Sequence, residues 1–262
     1  MKDTFLKLST AGPTGTIILN RPEQQNLLTP AMVSELSEAL DDLYYTKSIR
    51  AIVITGAGDT FSSGLDHSQD ISSTATEAEN ARRWGEEAQV FCELLVRMLE
   101  ITKPIIAAVN GPALSAGAAI AAAADVVVAG QSATFGLNDA RHGRIAGMAS
   151  TLVGFRLGAG QAARLALTSA TIDATEAYRL GLFHELVDDE QTWARANQLA
   201  EECAAGAPEA IQLTKRLINE TLGETLATQL SAAAVLSATA RTTAAAAEGI
   251  AAQREGRPPE WK

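Results

Sequence analysis

Lys103-Pro104-Ile105-Ile106-Ala107-Ala108-Val109-Asn110-Gly111-Pro112-Ala113-Leu114-Ser115-Ala116-Gly117 is the stretch whose reading decides the fold. Pro104–Val109 is short and apolar throughout, the pattern of a strand covered on both faces. Asn110-Gly111-Pro112 then forces a turn. Ser115–Ala124 follows as a helix of small residues, with Ser115 placed to cap it. The run Pro104–Ala124 carries no charge and is long enough to raise the question of a membrane span. The Asn-Gly-Pro interruption, the preference for Ala over Leu and Asp125 directly afterwards favour a buried strand, a turn and a buried helix instead.

The chain on either side follows the same alternation. Gly15–Leu19 reads as a strand ending at Asn20-Arg21-Pro22. Thr29 and Pro30 open a helix whose apolar face is Met32, Leu36, Ala39, Leu40 and Leu43. Arg50–Thr55 is a second buried strand, followed by a polar loop over Phe61–Asp70. Ser72–Asn80 reads as a mobile connection before a helix over Ala81–Leu99, and Val126–Ala129 as a further strand. Beyond Ala146 the pattern is helical: Met148–Leu157, Gln161–Leu167, Ala174–Leu180, Gln191–Ala204, Glu209–Asn219 and Gly223–Ile250. Strands alternating with helices, then helices alone, predict an α/β core with a helical C-terminal extension. The boundaries drawn are 1–204 for the core and 205–262 for the helical region, consistent with 262 residues at about 150 per domain.

Composition narrows the partners. Lys+Arg 21 against Asp+Glu 31 gives a net charge of −10, which argues against broad binding of nucleic acid. Cys92 and Cys203 have no paired spacing, and His67, His142 and His184 lie far apart. Neither a disulfide framework nor a metal site is expected. Met1–Thr10 mixes charges with apolar residues and lacks the apolar block of a signal peptide, so a cytoplasmic, non-membrane protein is expected. Phosphate-loop, nucleophile-elbow and zinc-helix patterns are missing from the sequence, and Gly56-Ala57-Gly58 and Gly158-Ala159-Gly160 are incomplete as dinucleotide loops.

Two loops carry the chemistry. Phe61-Ser62-Ser63-Gly64-Leu65-Asp66 and the turn ending in Ser115-Ala116-Gly117 each follow a strand and offer backbone N–H groups. Those of the second loop lie at the start of a helix, where the dipole adds about +0.5 charge. Two N–H groups converging on one point make an oxyanion hole.

Together with Leu19-Asn20-Arg21-Pro22-Glu23, Asn26-Leu27-Leu28, Ile54-Thr55-Gly56-Ala57-Gly58, Ala133-Thr134-Phe135-Gly136, Leu167-Thr168, Glu176-Ala177 and Leu180-Gly181-Leu182, these loops make the chain resemble the crotonase superfamily, the enoyl-CoA hydratase/isomerase family, over nearly its whole length. The resemblance implies a spiral of ββα units, a helical C-terminal trimerisation region giving a homotrimer or hexamer, and an acyl-CoA thioester as ligand. Coenzyme A then enters as part of the substrate, with no resident cofactor. Carried over by position, the oxyanion donors are the N–H groups of Leu65 and Ala116. Ser63, Gly64, Asp66, His67 and Ser68 line the adenine and pantetheine path, and Arg21 and Gln24 lie near the CoA moiety.

The sequence departs from the hydratase pattern at three places. Ala119 stands where the resemblance implies one glutamate, Asp139 where it implies the other, and Ala116 where it implies a glycine. Syn-hydration wants a base for water and an acid for the α carbon, whereas a double-bond shift needs one base moving one proton. A lone Asp139 therefore favours isomerase-like proton transfer. Two alternatives stay open: a hydratase using His142 or His67 as second group, and an acyl-CoA binding protein without turnover. His142, three residues after Asp139, is placed to share its helix face, and Ser115 to contact a ligand.

Overall fold

The computed structural model describes residues 5–68, 75–219 and 225–261. Its main sheet has the order β1-β2-β3-β4-β6-β9, built from β1 (Leu6–Ala11), β2 (Thr14–Leu19), β3 (Ala51–Gly56), β4 (Ile105–Val109), β6 (Val126–Gly130) and β9 (Glu185–Val187). Only the β1–β2 pair is antiparallel, and it is closed by a tight turn. From β2 to β9 the strands run parallel. The unbroken apolar run of β3 is explained by cover on both sides. Ile52 and Ile54 enter the main core, while Ala51 and Val53 meet Ala196 and Ala200 of α7 (Thr192–Ala205).

A second wall stacks beside the first. Leu28 pairs with Leu65, Ser62 with Ala113, and β5 (Ala113–Leu114) with β7 (Thr134–Gly136), all parallel; β8 (Thr171–Asp173) closes this wall antiparallel to β7. Each turn of chain thus lays one long strand on the first wall and a short one on the second, then a helix. The helices are α1 (Pro30–Tyr45), α2 (Glu77–Glu100) and α3 (Ala116–Ala123). This is a spiral of ββα units, as expected.

The run read as strand, turn and helix folds that way. All eight residues of α3 are buried, as suits a helix apolar on every side. Its C-terminal end is capped by Arg156, which donates to the carbonyls of Ala122 (3.1 Å) and Ala124 (2.7 Å). No helix among the described residues is long and apolar enough to cross a membrane.

The remaining helices are α4 (Gly147–Leu157), α5 (Ala159–Leu167), α6 (Ala174–Leu180), α8 (Pro208–Leu217), α9 (Leu226–Arg241) and α10 (Ala244–Glu255). α9 packs against α2 and α4 beside the core.

Three sequence readings are corrected. The connection drawn over Ser72–Asn80 ends sooner, because Thr76 and Glu79 form a reciprocal capping box that starts α2 at Glu77; 72–74 lie outside the described residues. The single helix drawn over Gly223–Ile250 is two helices. Thr243 caps a new start by accepting from the Ala246 N–H at 3.2 Å, while 223–224 lie outside the described residues. The part beyond Ala146, read as helical throughout, also holds the short strands β8 and β9.

Candidate active site

The two loops meet ahead of α3. The first hangs on 25–28: the Ser63 N–H donates to the Gln25 carbonyl (3.0 Å), Leu28 N–H to Gly64 carbonyl (2.8 Å), and Asp66 N–H to Leu28 carbonyl (2.9 Å). In parallel pairing, alternate residues use their backbone groups on opposite sides. Gly64 and Asp66 bond to Leu28, so the Leu65 N–H points the other way, and it has no hydrogen-bond acceptor among the described residues. Buried Asn26 holds this corner, donating to the carbonyls of Ala57 (2.9 Å) and Thr60 (2.7 Å) and accepting from the Arg21 N–H (2.8 Å).

The second loop is stapled on both flanks. The Leu114 N–H donates to the Ser62 carbonyl and the Ser115 N–H to the Gly136 carbonyl, each at 2.9 Å. Ala116 then opens α3, and its N–H also lacks an acceptor among the described residues, as first-turn groups do. Gly64 and Gly117 permit the close approach. A Cβ built on Gly64, at φ +110°, would lie 2.9 Å from the Ser115 Cβ and 3.4 Å from the Ala116 nitrogen. One built on Gly117 would collide with the Ser62 carbonyl. The two free N–H groups therefore sit on loops in direct contact.

Asp139 begins a 3-10 helix, Asp139–His142, after Leu137 and Asn138, which follow the end of β7. It is only 7% exposed. Its Oδ1 accepts from the Ser115 hydroxyl at 2.5 Å, and its buried Oδ2 has no partner among the described residues. The expected cap at Ser115 is corrected here: the hydroxyl makes no bond to its own helix and is turned toward Asp139.

Two clefts share Leu65, His67, Ser115, Asp139 and Arg144. The inner one, about 550 Å³ with open solvent included, is mainly apolar, with Ala88, Phe91, Ala116, Ala119, Ile145 and Met148 on its walls and Ser237 and Arg241 at one side. The outer one, of about 1020 Å³ with open solvent included, is the more polar of the two: Gln25, Ser63, Asp66, Ser68, His142, Gln253 and Arg254 line it beside Leu27 and Ile250. Asp139 stands where they join.

His142 lines only the outer cleft. Burial, then the Arg144 charge, hold its imidazole below the ordinary histidine range, against an opposing pull from Asp139. His67 borders both clefts. Arg21 donates to the Leu27 carbonyl (2.6 Å) and pairs with Asp66 (3.0 Å); Leu27 and Asp66 both line the outer cleft. Burial works to raise the Asp66 pKa, but hydrogen bonds from Ser68 and Arg21 outweigh it and hold the carboxyl below the usual range. Gln24 is exposed and borders neither cleft, whereas its neighbour Gln25 lines the outer one and accepts from the Ser63 hydroxyl at 3.0 Å. Among the described residues no group of three metal-ligating side chains gathers.

Phe91, Ile145, Met148 and Arg144 were not singled out from the sequence. Helical spacing marks Phe91 as buried but does not say that its part of the buried face fronts a void.

The sequence model of the enoyl-CoA hydratase/isomerase family matches residues 12–262. The chain belongs to this family. A 1,2-epoxyphenylacetyl-CoA isomerase of Escherichia coli is 33% identical over 249 residues, covering 94% of each chain. An enoyl-CoA hydratase of Mycobacterium tuberculosis is 34% identical over 212 residues, covering 80% of this chain and 78% of its own. The crystal structure of an enoyl-CoA hydratase from Mycobacterium avium superposes with a TM-score of 0.87 at 28% identity, over 99% of this chain and all (100%) of that one. The spiral is thus the crotonase fold. Both reaction names occur among these relatives, so the choice between them rests on the side chains of this member.

Proposed function

We propose that this family member processes acyl-CoA thioesters by forming an enolate and moving one proton with one carboxylate, as in enoyl-CoA double-bond isomerisation. The observation that carries the reading is the unpartnered, buried Oδ2 of Asp139 at the junction of the clefts, with the methyl of Ala119 in place of a second acid. The mainly apolar inner cleft suits an acyl chain and the more polar outer cleft a nucleotide-bearing arm. Their junction is then the position of the thioester and its α carbon.

In the proposed reaction the thioester oxygen accepts from the N–H groups of Leu65 and Ala116. Asp139 Oδ2 takes the α proton, and the electron pair of the breaking C–H bond moves onto the carbonyl oxygen. Asp139 then gives a proton to the γ carbon, its own or one exchanged with water, as the carbonyl reforms, so the double bond moves and atoms balance. One oxyanion donor is worth about 3 kcal/mol of barrier in sites of this kind. Hydration stays as a second reading because His142, held toward its neutral form, shares the outer cleft with Asp139. The same proposal includes assembly as a homotrimer or hexamer, supported by apolar side chains left on the surface of α8 and α9 (Leu213, Leu217, Val235, Leu236); a monomer in light scattering would remove that part.

The test is incubation with a saturated acyl-CoA in D2O. Deuterium uptake at the α carbon that disappears in Asp139→Asn is expected. Binding without uptake in the wild type would favour a binding protein, and uptake that survives in Asp139→Asn would overturn the role of Asp139.

A further inference from the structure

Ser115 occupies a backbone conformation, φ +52° and ψ −117°, that a residue with a Cβ rarely adopts. Such strain persists where the surroundings impose it and clusters at functional sites. Nothing in helix capping explains a serine here, since its hydroxyl makes no cap. Among the described residues the hydroxyl has one hydrogen-bond partner, Asp139 Oδ1, 24 positions on and across the second wall. Conversely, this is the only side-chain hydrogen bond that Asp139 makes among the described residues, and it leaves Oδ2 bare.

We propose that Ser115 is a positioning residue that fixes the Asp139 carboxylate, holding Oδ1 so that Oδ2 alone faces the substrate; this rests on the reading of Asp139 as the base. A carboxylate is free to turn about its Cβ–Cγ bond, and each turn exchanges which oxygen meets the α proton. A hydroxyl donated to one oxygen stops that turning. It also explains why a strained serine stands at the tip of the second loop. The loop that supplies the Ala116 N–H thereby also carries the group that aims the base, so donor and base are set by one turn of backbone.

The experiment compares Ser115→Gly and Ser115→Ala with wild type in α-proton exchange. Ser115→Gly removes the hydroxyl and the strained Cβ together. A thermal midpoint at or above that of wild type is expected, with kcat lower by about 10- to 100-fold, as for a lost hydrogen bond to a charged group, and KM within about twofold. A purely structural serine would not separate stability from rate in this way. Ser115→Ala, which keeps the Cβ, is expected to lose the same rate. Polarisation of a bound aryl-enoyl-CoA, read as its absorbance red shift, reports the N–H groups and is expected to stay unchanged in Ser115→Gly. A loss of that shift would assign the defect to the hole and overturn the proposal, as would wild-type exchange in either variant. Exchange that survives in Asp139→Asn would overturn the reading of Asp139 and this proposal together. An inactive Asp139→Asn beside a fully active Ser115→Gly would overturn this proposal alone.

Discussion

Replacing Gly64 by Ala tests the contact that brings the two N–H groups together. The new Cβ would lie 2.9 Å from the Ser115 Cβ, against about 3.5 Å for an unstrained carbon contact, so the loops must part by about 0.6 Å. The φ of +110° adds a backbone cost of about 1–3 kcal/mol. An oxyanion donor works at about 2.7–3.1 Å, and a retreat of that size puts one N–H outside the range. The loss of one donor is worth about 2.7–4 kcal/mol, or roughly 10²–10³ in kcat. The assay is deuterium uptake from D2O into a saturated acyl-CoA, with a melting curve to show that the variant is folded. A folded Gly64→Ala protein that exchanges within about threefold of wild type would refute the reasoning, because the hole would then not depend on the approach of these loops.

Other predictions concern the frame. Lys215 Nζ pairs with Asp125 at 2.7 Å and also donates to the carbonyls of Met98 (3.2 Å) and Lys103 (3.0 Å). Lys215→Met leaves the carboxylate without its cation, with the Ile105 N–H (2.7 Å) still donating to it, and is expected to cost about 3 kcal/mol, near the low end for a buried pair because Asp125 also keeps some solvent, lowering the thermal midpoint by roughly 6–12 °C; a change under about 2 °C would contradict it. Burial, then the Arg156 charge, hold His184 below the ordinary histidine range, and its Nδ1 accepts from the Val127 N–H at 2.8 Å. The unfolded chain protonates this histidine near pH 6.5 while the native state resists, so its stability contribution is full above about pH 6.5 and is eroded as pH falls below it. Urea midpoints at about pH 7.5 and 5.5 are expected to differ less in His184→Asn, which keeps an acceptor, than in wild type; equal differences would count against this.

Much of this was legible in the sequence, for identifiable reasons. Pro104–Val109 and Arg50–Thr55 read as buried strands because cover on both faces leaves no polar position in either, and both lie within a residue of the observed β4 and β3. The junction of Ser115 with α3 was legible because small residues and a turn leave few other conformations. Three features escaped. The capping box at Thr76–Glu79 was written in the sequence but lost among its Ser/Thr-rich neighbours. The break at Thr242–Thr243 lies in a run so rich in Ala that periodicity carries on across it. The Ser115–Asp139 bond joins positions 24 apart through the register of β5 on β7, and that register depends on the stacking of the walls rather than on any local pattern. The gap left by Ala119 was visible as a missing carboxylate, but only the fold puts its methyl on the same cleft wall as Asp139.

The central claim is that one carboxylate moves a proton here and no second group delivers water. The most direct measurement is to give the protein matched 2-enoyl- and 3-enoyl-CoA substrates in water enriched in both deuterium and oxygen-18, and to follow the products by mass spectrometry. The account predicts interconversion of the two isomers, with deuterium gained at the α or γ carbon and no oxygen-18. Oxygen-18 appearing in a 3-hydroxyacyl-CoA at a rate matching or exceeding isomerisation would contradict it.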